Sequence, residues 1–248
     1  MIAHRRASDP KGGIPEGTGL TDQAAGAPSR PASAQEAHQR WETAMLAEIE
    51  RIRRHLHAAA PDRVAACVGG SWQDGVLHLD YWGRPVRISW PDLVPRGEDG
   101  NPLSAFDQAM LLYHLRQSDG TLPADRWISY RDLPGGEFYH QAYQGYTGRR
   151  LAEAFGRQPE LFSAAAAGGK RLDGPGPLAW RFTPLPRVPL AACLWPGDDE
   201  IPSQASVLFD AHAGHHLPID GLALLGAGLT GRLLRAGPPI ADSVPSAH

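Results

Sequence analysis

A histidine-rich loop in the last fifth of the chain holds the residues best suited to chemistry. Asp210, His212, His215 and His216 lie between two apolar segments. Imidazole and carboxylate groups are ligands for zinc, iron, cobalt and nickel, and loops between a strand and a helix commonly carry binding sites. The residue types therefore predict a metal site. The alternative is a polar loop in which Asp210 accepts from local backbone amides and the histidines face solvent.

A second candidate segment spans residues 135–140. Its glycine pair at 135–136 allows the backbone to approach a ligand closely, and Glu137, Tyr139 and His140 follow at once. Polar groups beside aromatic side chains are typical of a ligand pocket, so these three residues are predicted to bind a ligand. The alternative is a tight turn followed by aromatic residues of the core.

We expect the two segments to lie side by side and form one pocket. Each marks a point where apolar chain gives way to a glycine-containing turn, and each carries polar groups that are unfavourable to bury without partners. His140 is expected to approach His215 or His216 closely enough to share a metal ion or a water molecule. Asp210 would then bind the ion itself or orient one of its ligands.

Three functions fit such a pocket. The first is a binding protein for a divalent metal or a metallated tetrapyrrole, either haem or a corrinoid, with one histidine of the two segments as the axial ligand. The second is a metal-assisted or acid–base enzyme that acts on a small molecule. In that enzyme Glu137 and Asp210 would be the acid and the base, with His140 or His215 as their partner. The third is a protein-interaction module that has no small ligand.

The strands that would position these residues are predicted from the pattern of apolar side chains. Residues 76–81 and 86–90 alternate apolar and polar side chains around a turn, which predicts a β-hairpin. Residues 188–195 are almost continuously apolar, which indicates a central strand with Leu190 and Leu194 buried.

Capping residues mark the predicted helices. Ser104 and Asp107 form a helix-start signal, and that helix ends near Gly120. Thr147 is expected to cap a short helix, and Asp220 is expected to cap an apolar helix. The last of these carries a stripe of leucines at helical spacing, namely Leu222, Leu225, Leu229 and Leu233.

Together these elements predict an α+β fold, a single domain over residues 33–236 with a mixed or antiparallel sheet packed by several helices. Residues 1–32 carry almost no large apolar side chains, and residues 237–248 are similar. Such segments cannot bury enough apolar surface to offset the entropy of ordering. We therefore predict a disordered arm at one end and a disordered tail at the other.

Composition and absent motifs exclude several classes of protein. The formal net charge of -3 gives no strong field for nucleic acid or anionic lipid. Cys67 and Cys193 do not form a C-x-x-C pair, so a zinc ribbon has no ligand set. No phosphate-binding glycine loop and no nucleophile elbow is present. Without a secretory signal or a membrane-spanning run, the expected location is the cytoplasm, with neither nucleic acid nor membrane as a partner.

Three parts of the sequence resemble a bacterial and archaeal family known as domain of unknown function 3786. They are WISYRDLPGG at 127–136, PRVPL at 186–190 with LWPGD at 194–198, and VLFD at 207–210 leading to HHLP at 215–218. The resemblance extends over residues 34–234. Some relatives carry an iron–sulfur segment, whose cysteines this chain lacks. No catalytic residue is established for the family, so the resemblance implies none here.

Overall fold

The structure is a computed structural model that describes the backbone of residues 34–237 and the side chains from Met45 onward. The predicted arm at residues 1–32 and the predicted tail after Gly237 lie outside the described residues. The described residues from Arg40 onward belong to one compact unit, and the candidate sites all lie within it.

Helices and strands occur in groups along the described chain. The helices are α1 (Ala34–Leu56), α2 (Pro61–Val68), α3 (Ala105–Gln117), α4 (His140–Tyr146), α5 (Gly148–Phe155), α6 (Pro159–Ala165) and α7 (Ile219–Ala236). The strands are β1 (Ser71–Gln73), β2 (Val76–Tyr81), β3 (Arg84–Ser89), β4 (Pro95–Arg96), β5 (Trp127–Ile128), β6 (Lys170–Arg171), β7 (Leu178–Leu185), β8 (Val188–Trp195) and β9 (Gln204–Asp210). Two 3-10 turns, Tyr130–Asp132 and Ala213–His215, are also present.

The strands form two antiparallel sheets where the sequence predicted one. The first sheet has the strand order β1-β2-β3-β4, and the second has the order β5-β9-β8-β7-β6. Neighbouring strands are antiparallel in both. Helix α5 lies against β9, β8 and α7. The predicted α+β class and the antiparallel pairing are confirmed.

Two hairpin turns of the first sheet differ in their strain. Asp74 and Gly75 have φ angles of 49° and 80°, and Trp82 and Gly83 have φ angles of 54° and 72°. Positive φ at both central residues defines a type I′ turn, for which Asp-Gly is a favoured pair. A bulky aromatic residue is disfavoured there by about 1–2 kcal/mol. The Trp82 amide donates to the Pro184 carbonyl at 2.8 Å, so contacts with the second sheet help to hold the strained turn.

Strand β8 lies in the middle of the second sheet and is part of the core. Its residues from Val188 to Leu194 are buried, and Trp195 at its end is partly exposed. The buried positions of Leu190 and Leu194 confirm the prediction from the apolar run. Because both faces of the strand are covered, its sequence is continuously apolar and does not alternate.

The capping residues predicted the start of one helix correctly and the cap of another wrongly. The Ser104 hydroxyl accepts from the Asp107 amide at 3.2 Å, and α3 follows directly. Thr147 precedes α5, but its hydroxyl donates to the Tyr143 carbonyl at 2.6 Å and does not cap the helix. Thr147 is fully buried at the end of α4, where its hydroxyl and its backbone amide both donate to the Tyr143 carbonyl.

The start of α7 was also predicted wrongly. The helix begins at Ile219 with Pro218 before it, and the Asp220 carboxylate accepts only locally, from the Gly221 amide at 3.0 Å. Pro218 has no side-chain acceptor, so it cannot cap the free amides at the start of the helix. The predicted leucine stripe is buried, as expected. Neither α7 nor any other helix within residues 34–237 is long and apolar enough to cross a membrane.

The tip of the β7–β8 hairpin binds the ends of two helices. Arg187 has a φ angle of 63°, and its guanidinium donates to the carbonyls of Cys67 and Gly120 at 2.9 and 2.6 Å. Cys67 lies in the last turn of α2, and Gly120 follows α3. Carbonyls at the end of a helix lack partners within the helix, and Arg187 supplies one for each of these two segments.

Neither cysteine is paired. Cys67 and Cys193 are free thiols, and Cys193 is buried. Burial raises the pKa of Cys193 to about 12. A thiol that stays protonated at neutral pH is a poor nucleophile and a poor metal ligand, in agreement with its apolar surroundings in the sequence.

Candidate functional site

Asp210 holds the backbone of the histidine-rich loop in place. Its side chain is buried at the end of β9, and Oδ1 accepts from the amides of Ala124 and His212, each at 2.9 Å. Oδ2 is buried and has no hydrogen-bond partner among the residues described. The carboxylate therefore joins the loop to the segment before β5, which is the backbone-capping role that the sequence offered as the alternative to a metal ligand.

His216 is fully buried, and both of its ring nitrogens have partners. Nδ1 lies 3.1 Å from the Ser118 hydroxyl, and Nε2 lies 2.9 Å from the Thr121 carbonyl. Because a carbonyl can only accept, Nε2 carries the proton and Nδ1 accepts from Ser118. Burial lowers the pKa of His216, so the ring is neutral. Neither nitrogen is free for a metal ion in this arrangement.

A second buried histidine, His114 of α3, packs beside His216 with the ring centroids 5.8 Å apart. Its Nδ1 lies 3.0 Å from the Ser118 hydroxyl. Ser118 has one proton and gives it to His216, so His114 donates from Nδ1 and its Nε2 is left unprotonated. That Nε2 has no partner among the described residues. Burial, followed by the His216 ring, lowers the pKa of His114 to about 3, and the backbone carbonyls of His216 and Val68 oppose this effect.

His212 and His215 are the loop histidines that keep a free ring nitrogen. They stand three residues apart at the ends of a 3-10 turn, which places their side chains on the same side. His212 Nδ1 donates to the Leu122 carbonyl at 2.9 Å, and His215 Nδ1 lies 2.7 Å from the Asp119 carboxylate. The ring centroids are 5.5 Å apart. Neither Nε2 has a hydrogen-bond partner in the described part of the chain.

The structural partner of the histidine-rich loop is the segment 118–122, which follows α3. Asp119 binds His215 and also accepts from the Thr121 amide at 2.9 Å. Its hydrogen bond to His215, and then that to the Thr121 hydroxyl, hold the pKa of the Asp119 carboxyl well below its usual range. From the sequence, this segment is predicted only as the end of a helix. The signal that it missed is an aspartate directly before a glycine, a pattern typical of side-chain bonding to a turn.

The glycine pair at 135–136 forms the tight turn that its sequence indicates. Gly135 has a φ angle of 81°. A Cβ added at Gly136 would lie 1.8 Å from the Tyr130 carbonyl, which excludes any larger residue at that position. The turn therefore needs both glycines for its own backbone, and α4 begins shortly after it.

Each of the three candidate residues that follow this turn has different surroundings. The Glu137 side chain is largely exposed, 3.8 Å from Arg131. Tyr139 is 49% exposed. His140 Nδ1 lies 2.6 Å from the Glu137 carbonyl. Glu137 and the buried Asp210 share no partner, so no contact supports them as an acid–base pair.

The histidine-rich loop shares a pocket with the two residues that precede the second candidate segment, and not with His140. A pocket of about 320 Å³ is lined by Leu133 and Pro134 on one side and by Gly214, His215 and Ile219 on the other. Within residues 45–237, no hydrogen bond, ion pair or ring contact joins His140 to a histidine of the loop. The pocket is thus apolar on the side of the turn and has His215 at its edge.

Of the four predicted metal ligands, His212 and His215 lie close together. Asp210 and His216 instead form hydrogen bonds with other parts of the protein. Among the described residues, no group of three or more His, Cys, Asp or Glu side chains is arranged to hold a metal ion. A closed structural site of four protein ligands is therefore not formed in this region. The remaining arrangement is an open one with two imidazoles.

Comparison with known proteins agrees with the resemblance seen in the sequence. The family model described as "Domain of unknown function (DUF3786)" matches residues 60–232, more than half of the chain. The chain belongs to this family. No curated protein and no solved structure matches the chain. The DUF3786 region includes the histidine-rich loop, its partner segment 118–122 and Arg187, so the geometry described above lies inside the family domain.

Proposed function

We propose that this DUF3786 protein binds a divalent transition-metal ion through Nε2 of His212 and Nε2 of His215. The arrangement of the two rings supports the proposal. They lie on one 3-10 turn with centroids 5.5 Å apart, and the Nδ1 atom of each is already bonded. Two imidazoles that share a tetrahedral ion at about 2.0–2.1 Å have ring centres about 5 Å apart. The observed separation of the two rings is therefore close to the one that a shared ion requires.

The partners of the two Nδ1 atoms are those that metal-binding histidines commonly have. A ligating imidazole usually donates its other N–H to a carboxylate or a backbone carbonyl, which fixes the tautomer and orients the ring. His215 has the Asp119 carboxylate in this position, and His212 has the Leu122 carbonyl. The same bonds would make each Nε2 a better electron donor. Imidazole ligands favour zinc, copper, nickel and cobalt over magnesium or calcium.

An ion held by two protein ligands keeps further coordination positions for water or for a small ligand. The pocket at His215 provides an apolar surface for such a ligand, with Leu133, Pro134 and Ile219 in its wall. Its volume of about 320 Å³ is at the lower end of the usual range for small-molecule sites. We therefore favour a small apolar molecule with one metal-binding group over a metallated tetrapyrrole.

Titration of the metal-free protein with Zn²⁺ in a calorimeter tests this function. We expect one site whose affinity falls at least about tenfold in His212→Ala and in His215→Ala, because each variant removes one of the two ligands. Asp119→Asn should weaken binding about 10–100-fold through the orientation of His215.

The matched control is His140→Ala. His140 also has its Nδ1 bonded to a backbone carbonyl, yet no second imidazole is stacked near it among the described residues. Its removal should leave the Zn²⁺ affinity unchanged. Equal affinity in wild type and in the His212→Ala, His215→Ala double variant would show that the proposal is wrong.

A further inference from the structure

A cleft of about 620 Å³ lies between the β2–β3 turn, the loop after β4, the start of α3 and the end of α7. Three arginines line it, Arg84 from β3 and Arg232 and Arg235 from α7. We call it the arginine cleft. Its volume is in the middle of the range for small-molecule sites, and its residues are distinct from those of the two-histidine site.

Arg232 lies on the face of Trp82. Its guanidinium carbon is 3.9 Å from the centroid of the indole ring, within the range of a favourable cation–π contact. Trp82 is the residue whose strained φ angle distinguishes the β2–β3 turn, and Gly228 of α7 leaves room for the edge of the indole ring. Strained backbone positions are often found at binding sites. The strained Trp82, in contact with an arginine inside a cleft, therefore indicates that this surface binds a ligand.

The one acidic group near Arg232 is already used by other donors. Asp107 accepts from the Tyr81 hydroxyl at 2.8 Å through Oδ1 and from the Ser104 hydroxyl at 2.7 Å through Oδ2. Within residues 45–237, no carboxylate lies within the 4.0 Å of an ion pair with Arg232. Partial burial lowers the pKa of Arg232, Tyr81 and Asp107 oppose this effect, and the charges of Arg235 and Arg84 add to it.

Two further acids, Glu98 and Asp99, stand on the loop after β4 at the edge of the cleft. Both are exposed. Asp99 is held by Asn101, whose amide and side chain donate to its two oxygens at 3.0 and 2.9 Å. The lining thus holds three guanidiniums and three carboxylates, but within residues 45–237 none of the three arginines forms an ion pair.

We propose that the arginine cleft binds an organic phosphate monoester. Such an ester carries a charge of about −1.5 to −2 at neutral pH, which can pair with the three arginines that have no ion-pair partner within residues 45–237. Guanidinium groups bind phosphate oxygens with paired hydrogen bonds. Leu103, Val86 and Pro85 line the same cleft and offer an apolar surface to the organic part. The site does not depend on the metal ion proposed above.

Calorimetric titration with phenyl phosphate tests the assignment. The full chain is used at low ionic strength with a chelator present, so that a metal ion plays no part. Wild type should bind phenyl phosphate more tightly than inorganic phosphate, which lacks the apolar group, and more tightly than benzoate, which carries one charge. Phenol should not bind measurably.

Substitution of the arginines identifies the site. Arg84→Gln and Arg235→Gln should each weaken phenyl phosphate binding about tenfold or more, because each removes charged hydrogen bonds. Both side chains are exposed, so both variants should fold. Arg232→Gln should weaken binding at least as much. Glu98→Gln should strengthen it by removing a negative charge from the edge.

Arg87→Gln is the matched control, because Arg87 lies on the same strand as Arg84 and does not line the cleft. It should bind phenyl phosphate within about twofold of wild type. Equal losses in Arg87→Gln and Arg84→Gln would overturn the proposal in favour of diffuse attraction to the surface. Benzoate binding as tight as that of phenyl phosphate, or no binding of phenyl phosphate by wild type, would also overturn it.

Discussion

Truncation of Leu194 to alanine should lower the free energy of unfolding by about 2–5 kcal/mol. Leu194 has no exposed surface and lies in β8, between Leu178 of β7 and Ala205 of β9 in the register of the sheet. Neighbouring strands on both sides limit collapse of the cavity, so the loss of dispersion contacts adds to the loss of apolar burial. Urea denaturation followed by circular dichroism measures the change.

Leu122→Ala is the control for this substitution. Leu122 is 68% exposed, so the same chemical change should alter stability by less than about 0.5 kcal/mol. Similar losses for the two variants would mean that β8 does not lie in the core.

Acid should destabilise the protein through His114 and His216. Both rings are buried, and burial lowers the pKa of both, that of His114 to about 3. In the unfolded chain a histidine titrates near pH 6.5, so between these values the unfolded state binds more protons. The stability that the neutral ring provides is complete above about pH 6.5 and is lost as the pH falls below it. From pH 7 to pH 5, His114 alone should remove about 2 kcal/mol.

Urea denaturation at pH 7 and pH 5 measures this loss. The window lies above the range in which most carboxylates titrate, so the histidines dominate it. His114→Asn has no titrating ring and should be less stable than wild type at pH 7 but should lose about 2 kcal/mol less between the two pH values. His78→Asn is the control, because His78 of β2 is not fully buried. An unchanged pH dependence in His114→Asn would refute the assignment.

The parts of the fold that were predicted correctly depend on local signals. The hairpin of β2 and β3, the Ser104 cap and the apolar run of β8 each follow from side chains within a few residues of each other. Thr147 failed as a cap because it is buried against the end of α4. Its hydroxyl found a partner through tertiary packing, which sequence spacing does not reveal.

The candidate sites were predicted less well for the same reason. The sequence indicated the histidine-rich loop, but the roles of its members depend on Ser118, Asp119 and Thr121, which are 95–98 residues away in the chain. Because of these contacts the two neighbouring histidines have different roles: His216 is buried with both ring nitrogens bonded, whereas His215 has only its Nδ1 bonded. The arginine cleft was missed because its residues come from four separate parts of the chain, and no short motif connects them.

The position of Arg187 has a consequence for how the molecule opens. One side chain at a hairpin tip binds carbonyls at the ends of two helices, and the nearby Trp82 amide binds Pro184 on the same hairpin. Local opening of β7 and β8 would release all of these bonds together. In native-state hydrogen exchange, the slowly exchanging amides of β8 and of the last turn of α3 should therefore belong to one cooperative unit. We expect the two groups of amides to have the same free energy of opening, so that neither element unfolds without the other.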